Sequence, residues 1–217
     1  ARGMAGEWDA PYDYRARLAD LDDPPPPTYV APPEQHLAVD ADPDIALGHG
    51  QAYAGQVLAL DECLSLFLIW LNELESSRRA LWLITSPRGY PVGEHQRVGP
   101  LDNALFNELV QVPLLVRLPD PQQYGLRTLQ LAQSFDLFDT ITQWCNRDME
   151  QSGPDDQPTA HLLRLARGLE SHRSATLTLG VHEQAVRTKY WFGRRYWESD
   201  RITARAESRW QLFVKPD

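Results

Sequence analysis

Hydrophobic positions between residues 50 and 75 recur at steps of three and four, which is the spacing of one face of an α-helix. The stripe consists of Tyr53, Val57, Leu60, Leu64, Phe67, Leu71 and Leu74. Five further apolar residues widen it: Leu58, Leu66, Leu68, Ile69 and Trp70. The pattern predicts a long, well-buried helix.

Two short and almost continuous apolar runs follow this helix. ALWLITS occupies residues 80–86 and VPLLVRL occupies residues 112–118, and a proline follows each run. Such runs are typical of strands in a parallel sheet that is covered on both faces. A short helix is predicted between them at 103–110. This alternation of helices and strands favours parallel strands joined by right-handed crossovers.

The pattern changes toward the C terminus. Helices are predicted at 134–149 and 158–169. Beyond them, residues 175–181, 185–192 and 209–214 carry strand-forming side chains in near alternation, which predicts an antiparallel hairpin and a third strand. The predicted fold is therefore α/β, with a mainly parallel sheet flanked by helices and a small C-terminal antiparallel β subdomain.

The N-terminal segment is rich in proline and aspartate, and its acidic residues outnumber its basic ones. Proline fixes φ and removes a hydrogen-bond donor, so long regular elements are excluded here. An ordered arm and a disordered tail both fit this composition, and the aromatic residues Trp8, Tyr12, Tyr14 and Tyr29 favour the ordered arm. The predicted organisation is an irregular arm at 1–49, an α/β portion at 50–170 and a β subdomain at 171–217.

Overall composition narrows the possible partners. The chain has 217 residues, 42% of them hydrophobic, and a formal net charge of -9. A packed core is possible, and the negative charge argues against nucleic acid or an anionic membrane as a partner. No apolar run approaches the roughly 20 residues that span a bilayer. The first residues do not have the pattern of a signal peptide. The compartment is therefore undetermined, and the cytoplasm is favoured.

Cysteine and histidine patterns carry no metal signature. Cys63 and Cys145 lie in helix-like contexts and are expected to be free core thiols. The six histidines have no metal-ligand spacing, so no zinc site is expected. Residues 185–215 are locally basic with interleaved tryptophans, for which a half-exposed charged sheet is the simplest explanation. An anionic glycan and the acidic N-terminal arm both fit as partners of this segment, and the arm, which is intramolecular, is preferred to nucleic acid.

The segment ITSPRGYPVGEH at 84–95 resembles the sulfatases of the alkaline-phosphatase superfamily. In that family a strand ends in T-S-D-H-G or T-S-D-N-G, often followed by G-E-H, a short helix and a strand reading V-P-L-I-V-R-x-P. VPLLVRLPDP lies in that order here. Upstream, AYAGQVLALDECLSLFLIWL resembles the family's Y-x-x-x-V-x-x-L-D helix, and downstream LAQSFDLFDTI resembles V-S-x-x-D-L-x-P-T-I. The resemblance covers about residues 50 to 145 and implies the C-terminal half of a sulfatase.

The same resemblance implies that the catalytic groups are missing. Family members use a formylglycine made in C/S-x-P-x-R, and neither cysteine has that context. Pro87 and Arg88 stand where two calcium ligands are expected, and neither side chain can coordinate a cation. The family's active-site lysine has no counterpart around Gly99. The resemblance therefore implies a sulfatase-like pseudoenzyme or an excised domain, without metal, calcium or formylglycine in this chain.

Arg88, His95 and Arg97 are the candidate site residues. Arginine binds sulfate, phosphate and carboxylate through paired hydrogen bonds, and histidine can donate a proton near neutral pH. We expect these residues to hold a small anion or a sulfated ligand, with no catalytic residue in this chain. The alternative is a sulfuric-ester hydrolase whose catalytic N-terminal half lies outside this sequence. A protein partner or that missing half is then expected to associate with the chain.

Overall fold

The structure is a computed structural model that describes residues 7–29, 31–74, 80–101, 104–119, 125–146, 160–169, 173–199 and 206–214. The chain divides into two compact units. The first comprises residues 1–75 and 88–102, and the second comprises residues 76–87 and 103–217.

Helix α2, Pro43–Asn72, is the main element of the first unit. The Asp42 side chain accepts a hydrogen bond from the backbone N–H of Asp44, and Pro43 occupies the first turn. This is the expected start of a helix, because proline has no N–H to leave unpaired there. The 30 residues span about 45 Å.

The two halves of α2 differ in how deeply they are buried. Its buried residues, which include His49, Ala52 and Gly55, all lie in its first half. In the second half Leu66 is 64% exposed and Trp70 is 53% exposed. The prediction of a well-buried helix at 50–75 is therefore right about the helix and wrong about its burial. By length and composition alone this helix could cross a membrane, although the sequence pattern predicted no such segment.

The described part of the N-terminal arm packs against the first half of α2. It contains helix α1, Tyr12–Arg15, and a 3-10 turn, Ala16–Leu18. Arg15 donates to the carbonyl oxygens of Ala10, at 2.8 Å, and of Pro26. Trp8 packs against Tyr29 and Tyr53, with ring centroids 6.1 and 5.6 Å away. Of the two alternatives for this segment, the ordered arm is the one found.

Replacing Gly55 should separate α1 from α2. A Cβ at this position would lie 2.6 Å from Arg15 Cγ and 3.0 Å from Arg15 Cα, so backbone as well as side chain must move. We expect Gly55→Ala to lower the free energy of unfolding by about 1–3 kcal/mol, measured by urea denaturation. Gly50→Ala is the control, because nothing lies within 4 Å of its added methyl group. A Gly55→Ala protein as stable as Gly50→Ala would contradict this packing.

The second unit contains a two-stranded sheet that corrects the predicted fold class. Strands β2, Trp82–Thr85, and β4, Leu114–Arg117, pair antiparallel, with Leu83 opposite Val116. Among the described residues between them, the only α-helix is the one-turn helix α3, Asn107–Val110. A parallel crossover usually needs a dozen or more residues built around a full helix. The mainly parallel sheet predicted from residues 80–86 and 112–118 is therefore wrong, and every sheet among the described residues is antiparallel.

Two helices of this unit pack against each other, and the second also packs against β4. They are α4, Phe135–Cys145, and α5, His161–Ala166, both shorter than the predicted helices. Leu118, Ala160 and Leu163 form a buried cluster with Trp144 beside it. Cys145 at the end of α4 is exposed, as is Cys63 in α2, so the prediction of core thiols is wrong.

The largest sheet has four antiparallel strands in the order β5–β6–β7–β8. Their bounds are Ala175–Leu179, Glu183–Thr188, Trp191–Ser199 and Ala206–Val214. The predicted strands at 175–181 and 209–214 correspond to β5 and β8, whereas the predicted strand at 185–192 is divided between β6 and β7 by the turn at 189–190. Its inner face buries Ala185, Phe192 and Arg194 near Leu105. Strand alternation places the next residues on the outer face.

Candidate functional site

The candidate site lies in a loop of the first unit, residues 88–98. Strand β3, Arg97–Val98, pairs antiparallel with β1, Gln35–His36, and so attaches the loop to the N-terminal arm. An isolated bridge joins Val92 to Val98 and closes the loop on itself. Val98 is fully buried, which fixes the base of the loop and leaves its tip in solvent.

The tip of this loop is a 3-10 turn, Glu94–Gln96, with an unusual backbone. His95 has φ 52° and Gln96 has φ 59°, so two consecutive residues other than glycine adopt the left-handed conformation. Each costs about 1–2 kcal/mol relative to an ordinary conformation. Such strain persists only where the surroundings impose it, and it concentrates at binding sites. Here the Gln96 carbonyl is held by the Leu37 N–H at 2.8 Å.

The loop brings two of the three candidate residues into contact. Arg97 is half-buried, and its Nη1 lies 3.4 Å from the backbone oxygen of His95. The His95 side chain is exposed at the turn. Arg88 is exposed at the start of the loop, and its positive charge acts on the Tyr90 hydroxyl. The three residues therefore belong to one loop of one unit, with two of them adjacent at its tip.

Tyr90 anchors the loop below this tip. Its hydroxyl donates to the carbonyl oxygen of Pro33, and its ring centroid lies 4.9 Å from that of Trp8. Burial, with the negative charge of Glu34, raises the pKa of Tyr90 far above its ordinary value, and Arg88 opposes that shift in part. The phenol therefore stays protonated and remains a donor. Gly99 has φ +76° and lies so close that a Cβ would be 2.6 Å from the Pro33 oxygen.

The positions that resemble calcium ligands hold no coordinating atom. Pro87 is exposed and belongs to the second unit by its contacts, whereas Arg88 belongs to the first. Within the described ranges, no group of three or more histidine, cysteine, aspartate or glutamate side chains could hold a metal ion. Because β2 is antiparallel to β4, the loop does not follow the carboxyl end of a parallel strand.

His49 is a buried titratable residue that the sequence patterns did not single out. It is 2% exposed, its ring stacks on Tyr29 at 5.0 Å, and its Nε2 lies 2.8 Å from Gln35 Nε2. If the Gln35 amide donates to Nε2, the proton of the neutral ring sits on Nδ1. Nδ1 has no hydrogen-bond partner among the described residues. Burial lowers the pKa of His49.

Acid should therefore loosen the contact between the arm and α2. Because the pKa of His49 is lower in the folded protein, the unfolded chain takes up a proton first as the pH falls below about 6.5. The contribution of this residue to stability is thus fully present above that pH and is lost as the pH falls toward the folded pKa. We expect urea denaturation at pH 7.5 and 5.5 to show a smaller loss for His49→Gln than for the wild type. The exposed His36→Gln is the control, and an equal loss in all three proteins would contradict this role.

No protein-family model matches the chain, and no curated protein matches it.

Proposed function

We propose that this chain is a sulfatase-like polypeptide that binds a small oxyanion at its 88–97 loop and does not itself hydrolyse sulfate esters. The observation that carries this proposal is the strained turn at His95 and Gln96, where the Arg97 guanidinium lies 3.4 Å from the His95 backbone oxygen and the His95 side chain is exposed. Strain of this kind destabilises the folded chain and persists at sites where it serves a function. Holding the turn rigid for anion binding is one such function.

The chemistry of the loop fits an oxyanion such as sulfate or phosphate. Two arginines offer planar sets of donors that match tetrahedral oxyanions, and the exposed His95 ring can add a donor. Arg97 is anchored by strand β3, so less side-chain freedom is lost on binding. The nearby Glu94 carboxylate is occupied by the Val92 N–H at 2.8 Å.

The absence of hydrolysis is proposed from the residues that replace the family's ligands. Pro87 has no side-chain donor or acceptor, and Arg88 is a permanent cation. A cation at that position repels calcium but attracts an anion, so the substitution changes what the loop can bind. The residues that still resemble the family pattern, such as Gly93 and Glu94, lie at the start of the turn that carries His95.

A second candidate is favoured by the exposed half of α2. Large apolar side chains there, including Leu60, Phe67 and Ile69, are between 47% and 61% exposed. A helix that is apolar around most of its circumference is normally covered. This observation favours a chain that works together with another polypeptide segment, as expected if a catalytic half of a sulfuric-ester hydrolase lies outside this sequence.

Calorimetric titration with sodium sulfate tests the anion site. We expect saturable binding to the wild type and at least tenfold weaker binding to the double variant Arg88→Gln/Arg97→Gln, because charged hydrogen bonds contribute about 1.5–3 kcal/mol each. Arg17→Gln removes an exposed arginine of the arm and should bind as the wild type does. Equal affinities in all three proteins would refute the site.

An aryl-sulfate hydrolysis assay separates the two candidates. The chain alone should release no product above the buffer rate under either of them. Release that first appears when a separate polypeptide carrying C/S-x-P-x-R is added would favour the hydrolase. Turnover by the chain alone would overturn the proposal.

A further inference from the structure

The outer face of the four-stranded sheet carries three tryptophans around one arginine. Strand β7 presents Trp191, Gly193, Arg195 and Trp197 on this face, because alternate residues point the same way. Trp210 of β8 lies opposite Arg195 in the register. We call these five residues the tryptophan face. Trp191 is 45% exposed and Trp210 is 61% exposed, so the face is open over much of its area.

Arg195 is held between two indole rings. Its guanidinium carbon lies 5.4 Å from the Trp197 ring centroid and 5.4 Å from that of Trp210. These cation–π contacts restrain the long side chain and keep its charge close to both rings.

The hydrogen-bonding groups of the Arg195 side chain are incompletely satisfied. Nη2 donates to the Ser208 hydroxyl at 3.2 Å, and Nε is buried with no hydrogen-bond partner among the described residues. Since Nε is buried, the part of the guanidinium that a ligand can approach is its terminal Nη end. Arg194, its neighbour on the inner face, is paired with Glu183. The two adjacent arginines thus differ, because Arg194 has a carboxylate partner and Arg195 has none among the described residues.

Gly193 lies at the centre of this face, between Trp191 and Arg195 and opposite Leu212. A Cβ there would meet Leu212 Cδ1 at an ordinary 3.6 Å, so packing alone does not require glycine. Gly193 itself is buried, and the exposed Leu212 side chain covers this part of the face. Trp191 and Trp197 lie six residues apart on one strand, or roughly 20 Å, which suits an extended chain of rings rather than a single small molecule.

We propose that the tryptophan face binds an acidic saccharide, with sugar rings stacked on the indoles and a carboxylate or sulfate group held by Arg195. The C–H faces of sugar rings are weakly positive and complement the negative faces of indoles. A single arginine among aromatic rings can hold one anion while the indoles stack on neighbouring sugar rings. Single-stranded nucleic acid is normally bound along a row of cations that follows its phosphates, whereas the tryptophan face presents one cation. This site lies wholly within the second unit, so the saccharide proposal does not depend on anion binding at the 88–97 loop.

The experiment is calorimetric titration of the full chain with defined probes. Heparin oligosaccharide carries both anions, hyaluronan oligosaccharide carries carboxylate alone, and dextran sulfate carries sulfate alone. We expect saturable binding of heparin and of at least one of the other two, which identifies the anion that Arg195 holds. Neutral dextran should bind at least tenfold more weakly. Equal binding of dextran would overturn the role of the anion.

Variants locate the site. Arg195→Gln and Trp210→Ala should each weaken heparin binding about tenfold or more while the far-ultraviolet circular dichroism stays unchanged. Trp70→Ala removes an exposed tryptophan of α2, 53% exposed, and should bind as the wild type does. Wild-type affinity in folded Arg195→Gln and Trp210→Ala would refute the site. Oligo(dT) binding as tight as heparin, lost in the same variants, would assign the face to nucleic acid and overturn the saccharide proposal.

Discussion

Glu183→Ala should lower the free energy of unfolding by about 3–5 kcal/mol, because it leaves the buried Arg194 guanidinium without its counter-charge. Arg194 is 6% exposed, and its Nε donates to Glu183 Oε2 at 2.7 Å while its Nη2 donates to Oε1. The same Oε2 accepts a hydrogen bond from the backbone N–H of Leu105 at 2.7 Å, so the variant also leaves that N–H without its acceptor. Urea denaturation followed by circular dichroism measures the loss.

The surroundings of Arg194 suggest how much of that loss comes from the unpaired charge. Its guanidinium carbon lies 4.1 Å from the Phe106 ring centroid, and the neutral Gln211 is its only other described side-chain hydrogen-bond partner. Replacing both ionic partners in Glu183→Met/Arg194→Met should therefore recover more than half of the loss. Glu62→Ala, an exposed carboxylate on α2, should change stability by less than about 0.5 kcal/mol. If Glu183→Ala is no more destabilising than Glu62→Ala, the buried pair does not stabilise the sheet.

Leu163→Ala should destabilise the protein by about 2–5 kcal/mol, since it removes a fully buried side chain from the second unit. Leu163 is 1% exposed and packs with Leu118 and Ala160, with Trp144 at the edge of the cluster. The cluster joins α4 and α5 to strand β4, so a cavity there weakens contacts among all three elements. Thermal and urea denaturation both report the change.

The matched control is Leu179→Ala. Leu179 is the same residue type but is 70% exposed at the end of β5, so its truncation should cost less than about 0.5 kcal/mol. Comparable losses in the two variants would show that the 118–163 cluster is not a core.

Local patterns in the sequence predicted elements well but not their arrangement. The stripe from Tyr53 to Leu74 identified α2, yet the helix starts at Pro43, where the Asp42 cap and the proline were available as signals. Its exposure could not be read from the stripe, because periodicity reports which side is apolar and not what covers it. The direction of β2 relative to β4 was missed for a related reason. A short apolar run has the same composition in either orientation.

The candidate site was only partly accessible from sequence. The glycine at position 93 signals a turn, so a loop carrying Arg88, His95 and Arg97 could be expected. The left-handed backbone of His95 has no sequence signal of its own. His49 was missed because a lone histidine in a helix has no pattern, and its partner Gln35 comes from a distant strand. The arginine between two tryptophans depends on the register of β7 and β8, which alternation alone does not fix.

The most direct test of the proposed function is thermal melting of the full chain in chelator-treated buffer, with sodium sulfate and separately with calcium chloride. An anion present at a concentration 100 times its dissociation constant adds about 2.7 kcal/mol of stability. That gain gives a readily measured rise in Tm. We expect sulfate to raise the Tm of the wild type but not that of Arg88→Gln/Arg97→Gln, and calcium to leave both unchanged. A rise with calcium and none with sulfate would contradict an arginine-based anion site and would point to a metal site in the chain.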